Sequence, residues 1–315
     1  MIPNVQILRA LAALMVVFHH GLSATGHYAI PALSLASLNA IGQSGVDLFF
    51  VISGFVMVVS THYSPKSPAE FLLGRIRRIV PIYWILTLAL AALLLVTGRM
   101  LSDGGPMYLL LSLMFSSQVM TGAYPVLFLG WTLEYEMFFY VLFALGLALP
   151  LRNGEVIVPT AVIIALSLLF PVAIAIEFIF GMVVARLYLA GVGSRFSGAV
   201  ALSVGFILLL GSLAHPQPLE LRWALWGVPA SLIVYGAVVT DQLHLRGLIF
   251  LGDASYSIYL IQAFLITLTF KAMVRFLPGI APELQVLIAT LSTTLAGAAM
   301  YVALERPLLK AIRRQ

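Results

Sequence analysis

The chain has 315 residues, of which 62% are hydrophobic and 9% are charged, and its formal net charge is +5. Soluble domains carry about 25% charged residues, so this composition excludes a water-soluble globular protein and indicates one whose solvent is the lipid bilayer. The absence of cysteine excludes disulfides, thiolate metal sites and a cysteine nucleophile. No metal is expected, and the basic residues are spread over short loops, which indicates membrane topology rather than nucleic-acid binding.

Ten apolar segments are candidate membrane-spanning helices, since a span needs about 20 mostly apolar residues. They cover 5–24, 43–61, 79–97, 127–149, 156–171, 173–190, 198–214, 223–240, 255–276 and 284–304. A further stretch, 107–120, would extend only about 21 Å and is too short for a hydrocarbon core of about 30 Å. The sequence therefore predicts an all-α polytopic membrane protein in which residues 1–315 form a single transmembrane domain.

The Lys and Arg residues predict how these helices are oriented, because cytoplasmic loops carry an excess of both. With the N-terminus inside and Arg9 left out as part of the first helix, ten spans place 12 basic residues inside and 4 outside. Counting 107–120 as an eleventh span changes these numbers to 7 and 9, whereas a ten-span arrangement with 156–190 bent at Pro171 gives 11 and 5 and stays open. We therefore expect ten spans in the inner (plasma) membrane, both termini cytoplasmic and 107–120 at the outer face.

Ionisable residues inside the predicted spans mark candidate sites, because each costs about 2.5–3.5 kcal/mol on insertion scales. Arg9 and His20 are eleven residues apart, so they share one helix face and differ in depth by about 16 Å. Arg9 is predicted near the inner surface and His20 in the outer half of the bilayer. A hydrogen bond that only joins helices is an equally good interpretation of His20, and for the adjacent His19 a structural role is favoured.

Two carboxylates are predicted at a depth similar to that of His20. Asp47 lies about one turn below the outer surface in GQSGVDLFFVISGF, and Glu136 lies near the outer end of GWTLEYEMFFY. A carboxylate beside a histidine fixes its tautomer and makes it a better base. The alternative for Asp47 is a charge that complements the helix macrodipole. Glu134 lies about 160° around the helix from Glu136, so one helix face cannot present both.

Two arginines of the segment RIRR are predicted at the cytoplasmic edge. Arg75 and Arg78 are three residues apart and share a helix face, and with Arg9 at the same level they form a cationic mouth. Their planar guanidinium groups suit bidentate binding of phosphate oxygens, although basic residues at an inner edge are also ordinary topology determinants. Phosphate-binding arginines about 16 Å from a histidine suit a long ligand with a reactive far end.

In chain order, these segments resemble the signatures of the acyltransferase-3 family, membrane proteins that acylate sugars and other hydroxyl compounds. The resemblance extends over nearly the whole chain. It rests on the Arg/His spacing of the first helix and on GVDLFFVISGF, RIRR, GWTLEYEMFFY, GDASYSIYLIQ and the closing ERP. It is greatest for the exopolysaccharide-production branch. The sequence departs from the family pattern at His19, which is commonly aromatic, at Gln262, where many relatives have histidine, and at the extra acid Glu134.

The resemblance implies acyl-coenzyme A, usually acetyl-CoA, as the donor substrate. It implies a carbohydrate or lipid-linked carbohydrate as the acceptor, acylated on a hydroxyl group. It also implies that His20 is the catalytic residue, that Arg9, Arg75 and Arg78 are important for function, and that the fold has about ten transmembrane helices.

In the mechanism that we expect, the arginines hold the donor phosphates and His20 removes the proton of the acceptor hydroxyl. Asp47 or Glu136 then orients and balances the imidazolium. An acyl intermediate on His20 is an alternative chemistry. A proton-coupled transporter or a flippase of a sugar-containing lipid would also bury such charges, and a non-catalytic scaffold for polysaccharide assembly is a third alternative.

Overall fold

The computed structural model describes residues 2–28, 38–98, 105–170, 172–212 and 221–313, and the regular structure within these ranges is entirely helical. The α-helices are α1 Pro3–His27, α2 Asn39–Tyr63, α3 Pro68–Val96, α4 Gly105–Leu113, α5 Ser117–Thr121, α6 Gly130–Ala148, α7 Gly154–Leu169, α8 Ile176–Leu189, α9 Arg195–Gly211, α10 Val228–Val239, α11 Arg246–Asp253, α12 Ser255–Phe276, α13 Pro282–Met300 and α14 Arg306–Arg313. Two π-helical turns, Trp223–Gly227 and Tyr301–Glu305, lead directly into α10 and α14.

Six helices of the described chain are long and apolar enough to cross a bilayer, and they involve α1, α2, α3, α6, α12 and α13. The helices at 154–169, 195–211 and 223–239 are apolar but shorter. The exposed faces of the apolar helices carry large apolar side chains, as lipid contact requires. On α3, for example, Leu93 and Leu95 are 54% and 60% exposed. The prediction of an all-α polytopic membrane protein is confirmed. The number of ten spans and the cytoplasmic position of both termini stay predictions.

Helix α3 begins eleven residues before the predicted span at 79–97. Ser67 and Glu70 form a reciprocal cap at its start, in which each side chain accepts from the backbone N–H of the other. Apolar composition detects only the part of a helix that lies in lipid, whereas the cap extends this helix through polar sequence. Arg75 and Arg78 consequently lie inside a continuous helix that holds them on one face.

The stretch 107–120 forms two short helices, α4 and α5, separated by Phe115 with a positive φ of 55°. Neither helix is long enough to cross a hydrocarbon core of about 30 Å, which agrees with the prediction that this stretch is not a span. Farther along, Phe170 ends α7 in an extended conformation (φ −137°, ψ 155°), as expected for a residue before proline. Residues 156–190 therefore form two helices; Pro171 itself lies outside the described residues.

Helix α1 is the centre of the bundle and packs against α2, α11, α12 and α13. Its contact with α2 is close because of two glycines: a Cβ on Gly45 would lie 2.6 Å from the carbonyl oxygen of Ala12, and Gly42 is similarly confined. Gly54 of α2 and Gly181 of α8 likewise face each other's helix backbone. Small residues at such contacts let two helix backbones approach each other closely. The polar residues of α1 are thereby directed at neighbouring helices.

Candidate active site

A cavity of about 560 Å³ lies mainly between α1, α2, α3, α6 and α12. Its volume is within the range of about 300–1,000 Å³ that is usual for small-molecule sites. Apolar and aromatic side chains form most of its wall, including Phe49, Phe50 and Tyr259. The cavity therefore combines a largely apolar interior with a small set of charged groups: Arg9, Arg75, Arg78 and Glu136.

The three arginines predicted to bind phosphate all line this cavity. Arg9 donates from Nη2 to the Ser255 hydroxyl at 2.9 Å and from Nη1 to the Gln6 amide oxygen at 3.3 Å. The Nε of Arg75 is buried and has no hydrogen-bond partner among the residues that the structure describes. Among the described residues, every ion pair involves other side chains, so Arg9, Arg75 and Arg78 have no carboxylate partner. The cavity thus gathers three cations whose charges an anionic ligand could satisfy.

Glu136 lines the same cavity as the arginines. Its Oε1 accepts hydrogen bonds from the hydroxyls of Ser53, at 3.0 Å, and Tyr140. The structure therefore places this predicted catalytic carboxylate with the phosphate-binding candidates. Its hydrogen bonds fix the carboxylate within the cavity wall, and its negative charge lies in the field of the arginines.

His20 lies apart from the residues that line the cavity. Its Nδ1 is 3.0 Å from Oε1 of Gln262, and its ring contacts His19 and the edge of Phe128, with centroids 4.8 and 5.2 Å away. The amide of Gln262 donates to the carbonyl of Tyr259 at 2.7 Å, and Tyr259 lines the cavity. Tyr259 and Gln262 therefore connect the cavity with the histidine.

The predicted pairing of Asp47 with His20 is wrong in this structure. Asp47 is completely buried and forms a bidentate ion pair with Arg222, with Oδ1 2.9 Å from Nε and Oδ2 2.8 Å from Nη2. Arg222 also donates to the carbonyl of Gln43 and lies over the Trp226 ring at 4.8 Å. A bidentate arginine neutralises the carboxylate more completely than an imidazole would, so the charge of Asp47 is balanced by Arg222 in this structure.

Glu134, the extra acid of its motif, has a structural role. It accepts from the backbone N–H groups of Ser117 and Gln118, both at 3.0 Å. These N–H groups belong to the first turn of α5, where no intrahelical acceptor exists. One carboxylate therefore holds the short helix of 117–121 against α6.

Sequence reasoning missed two residues that determine these arrangements. Arg222 is one of the 4 basic residues that the charge distribution places outside, and its position beside the predicted span 223–240 does not indicate a partner 175 residues away. Gln262 was noted only as a departure from the family pattern. Its contact with His20 joins residues 242 apart in the chain, and no local pattern reports such a contact.

The sequence comparisons agree with the geometry. A family model described as "Acyltransferase domain" matches residues 2–302. This chain belongs to the acyltransferase-3 family. It is also 35% identical to the "Exopolysaccharide production protein ExoZ" of Rhizobium meliloti (strain 1021), over 92% of this chain and 94% of that protein. No solved structure matched the chain.

Family membership confirms the resemblance found in the sequence and makes the chain a membrane acyltransferase. The matched region includes both the cavity with its arginines and the His20–Gln262 pair. The site of an acyltransferase must bring a donor, an acceptor and a proton-accepting group together. Among the described residues, the cavity offers space and cationic groups to a donor, and His20 offers a nitrogen that can accept a proton.

Proposed function

We propose that this protein transfers an acyl group, most simply acetyl, from coenzyme A to a hydroxyl group of a sugar. The acceptor in this proposal is an exopolysaccharide or its lipid-linked precursor, in the inner membrane. The identity with a relative named as an exopolysaccharide production protein supports the biological context. The arginines and the aromatic wall of the cavity support coenzyme A as the donor.

The observation that carries the proposal is the set of three arginines in one mostly apolar cavity, none of which forms an ion pair within the described parts of the chain. Arginine binds phosphate oxygens through its planar fork of N–H donors, and coenzyme A carries several phosphate charges at one end. Its pantetheine arm is less polar and suits the aromatic wall formed by Phe49, Phe50 and Tyr259. The donor phosphates would satisfy the Nε–H of Arg75, which has no partner in the described ranges of the chain.

In the proposed reaction, His20 is the general base. The acceptor oxygen attacks the thioester carbonyl, its proton passes to His20, the carbon–sulfur bond breaks, and the proton then goes to the departing thiolate. The products are a sugar ester and free coenzyme A. Because His20 lies beyond the cavity wall, the reactive end of the donor has to pass Tyr259 to reach it. The alternative with an acyl-histidine intermediate would be recognised by trapping that species without acceptor.

Glu136 belongs to the donor cavity in this proposal. Its carboxylate is held by Ser53 and Tyr140 and lies in the wall of that cavity, rather than balancing the charge of His20. Asp47 has no part in the chemistry because Arg222 already occupies both of its oxygens.

One observation favours a transporter as the second candidate function. The Asp47–Arg222 pair and the neighbouring buried carboxylate of Glu177 form a charged cluster inside the bundle. Transport proteins place such clusters along ion and proton paths. A transporter would not need affinity for coenzyme A, so donor binding separates the two functions.

The test is calorimetric titration of acetyl-CoA into the purified full-length protein in detergent. We expect binding by the wild type and by His20→Ala. In Arg75→Ala/Arg78→Ala we expect the affinity to fall by at least about 100-fold, because each lost hydrogen bond to a charged group costs about 1.5–3 kcal/mol. Arg77→Ala is the matched control, because Arg77 is in the same segment but does not line the cavity.

Absence of any acyl-CoA affinity in the wild type would remove the donor and favour the transporter. If binding occurs as expected, an acetyl-transfer assay with sugar acceptors should show activity in the wild type and none in His20→Ala. Full transfer activity in His20→Ala would refute its role as the base.

A further inference from the structure

We propose that Gln262 is a positioning residue that holds His20 in one tautomer, with the proton on Nδ1 and the lone pair on Nε2. The inference deepens the proposed function, in which His20 is the base. It assigns a role to a glutamine that stands, by resemblance, where many relatives have histidine. The tautomer of His20 depends on which end of the Gln262 amide faces the imidazole ring.

The orientation of the amide follows from its second partner. The nitrogen Nε2 of Gln262 is 2.7 Å from the carbonyl oxygen of Tyr259, a group that can only accept a hydrogen bond. Rotating the amide by 180° would place two oxygen atoms at this short distance and lose the bond. The NH₂ group therefore faces Tyr259, and Oε1 faces His20.

The orientation of the amide determines the proton on the ring. Oε1 of Gln262 has no hydrogen to give, so Nδ1 of His20, 3.0 Å away, must be the donor. A neutral imidazole carries one N–H, which leaves the lone pair on Nε2. The nitrogen that can take a proton from an acceptor hydroxyl is therefore Nε2.

The surroundings make this arrangement rigid. Gln262 is 1% exposed, so its amide is shielded from water. The hydroxyl of Tyr259 bonds to the Thr132 hydroxyl at 2.8 Å and to the Leu129 carbonyl at 3.1 Å, which anchors the residue that holds the amide. The Phe128 ring, at 80° to the imidazole, limits rotation of His20.

A neutral amide acts differently from the carboxylate expected at the sequence level. It fixes the tautomer and the ring plane and stabilises the N–H of the imidazolium that forms when Nε2 takes the proton, but it adds no negative charge. Holding a catalytic histidine in the wrong tautomer costs up to about 10⁴-fold in rate in serine hydrolases. The loss here should be smaller, because the unrestrained ring still samples the productive form.

The first test reads the tautomer directly and needs no substrate. In full-length protein with ¹⁵N-labelled histidine, at a pH where the ring is neutral, NMR should show His20 with Nδ1 protonated; the signal is assigned by its loss in His20→Ala. In Gln262→Met, which keeps the length of the side chain but has no acceptor oxygen, the Nε2-protonated form should appear. Wild-type protein with Nε2 protonated, or an unchanged tautomer in Gln262→Met, would overturn the inference.

The second test separates positioning from donor binding. Gln262→Met should lower kcat by about 10- to 100-fold, part of the about 10²–10⁴-fold that general base catalysis contributes, with the KM for acetyl-CoA unchanged. Gln262→Glu, which keeps an oxygen acceptor, should retain most of the activity. Gln285→Met is the matched control: Gln285 is also buried and donates to a backbone carbonyl, at 2.9 Å, but its Oε1 has no hydrogen-bond partner among the described residues.

The outcomes of the two tests distinguish this inference from the function on which it rests. Equal kcat values for Gln262→Met and Gln262→Glu, or a change confined to KM, would exclude the positioning role. If NMR shows the expected tautomer while His20→Ala transfers acetyl groups normally, the tautomer assignment is supported and the catalytic role of His20 is refuted.

Discussion

The arginines in this bundle differ in whether a carboxylate neutralises their charge. Arg222 is held by both oxygens of Asp47, by a backbone carbonyl and by the face of Trp226. Arg75 and Arg78 line a cavity, without a carboxylate partner among the described residues. The first arginine is paired within the protein, whereas the other two face a cavity in which an anionic ligand could pair with them.

The difference separates a charge that stabilises the fold from charges that await a ligand. A buried ion pair, once formed, makes each partner dependent on the other, because either alone is a costly charge in a medium of low polarity. An unpaired cation in a cavity contributes little to stability and can bind an anion instead. Stability and donor binding should therefore respond in opposite ways to substitutions in the two groups.

The largest expected effect is on stability in the paired group. Arg222→Met leaves the buried carboxylate of Asp47 without its counter-charge and should cost about 3–5 kcal/mol, measured by unfolding of the purified protein in detergent. Arg75→Met is the matched substitution in the cavity and should leave stability unchanged within about 0.5 kcal/mol. Equal destabilisation by the two substitutions would show that the paired and the cavity-lining arginines do not differ in their contribution to stability.

The two glutamates of GWTLEYEMFFY also divide into one that stabilises the fold and one that lines the donor cavity. Glu134→Gln replaces one of the two oxygens that accept from the first turn of α5, and we expect a cost of about 1–2 kcal/mol, as for the loss of a helix cap. Acetyl-CoA affinity should not change. A loss of affinity without a loss of stability would move Glu134 from the structural class to the donor site.

Glu136→Gln should have the opposite profile. Its carboxylate shares the cavity with the three arginines, so it repels a phosphate ligand. Removing the negative charge should strengthen coenzyme A binding about fivefold, or about 1 kcal/mol, with little change in the unfolding transition. Calorimetry at two salt concentrations checks the cause, since a Coulombic gain shrinks as salt rises. Weaker binding would instead indicate that Glu136 makes a direct hydrogen bond to the donor.

The smallest effect is expected where an ion pair is exposed. Arg195 and Asp241 are 3.1 Å apart, but their side chains are 80% and 69% exposed. Such pairs contribute about 0–1 kcal/mol, so Arg195→Ala should leave both the unfolding transition and donor binding within experimental error. A large destabilisation would show that ion-pair geometry alone, without burial, determines the stability of this bundle.

Much of the architecture was predictable because hydropathy and helix periodicity are local properties. The predicted span 255–276 coincides with helix Ser255–Phe276. The short helix α11 was missed, since eight residues are too few to register as a span. The early start of α3 was missed because a polar cap, rather than apolar composition, defines it.

The sequence by itself determined that this is an all-α membrane protein of the acyltransferase-3 family, that Arg9, Arg75 and Arg78 form one cationic group, and that Arg9 and His20 lie on one face of α1. Only the tertiary structure decided the partners: Arg222 for Asp47, and Gln262 for His20, from positions 175 and 242 residues away. Depth and helix face can be calculated along one chain segment. Which helices become neighbours depends on packing among all of them, and that packing decides which charges are paired and which remain available.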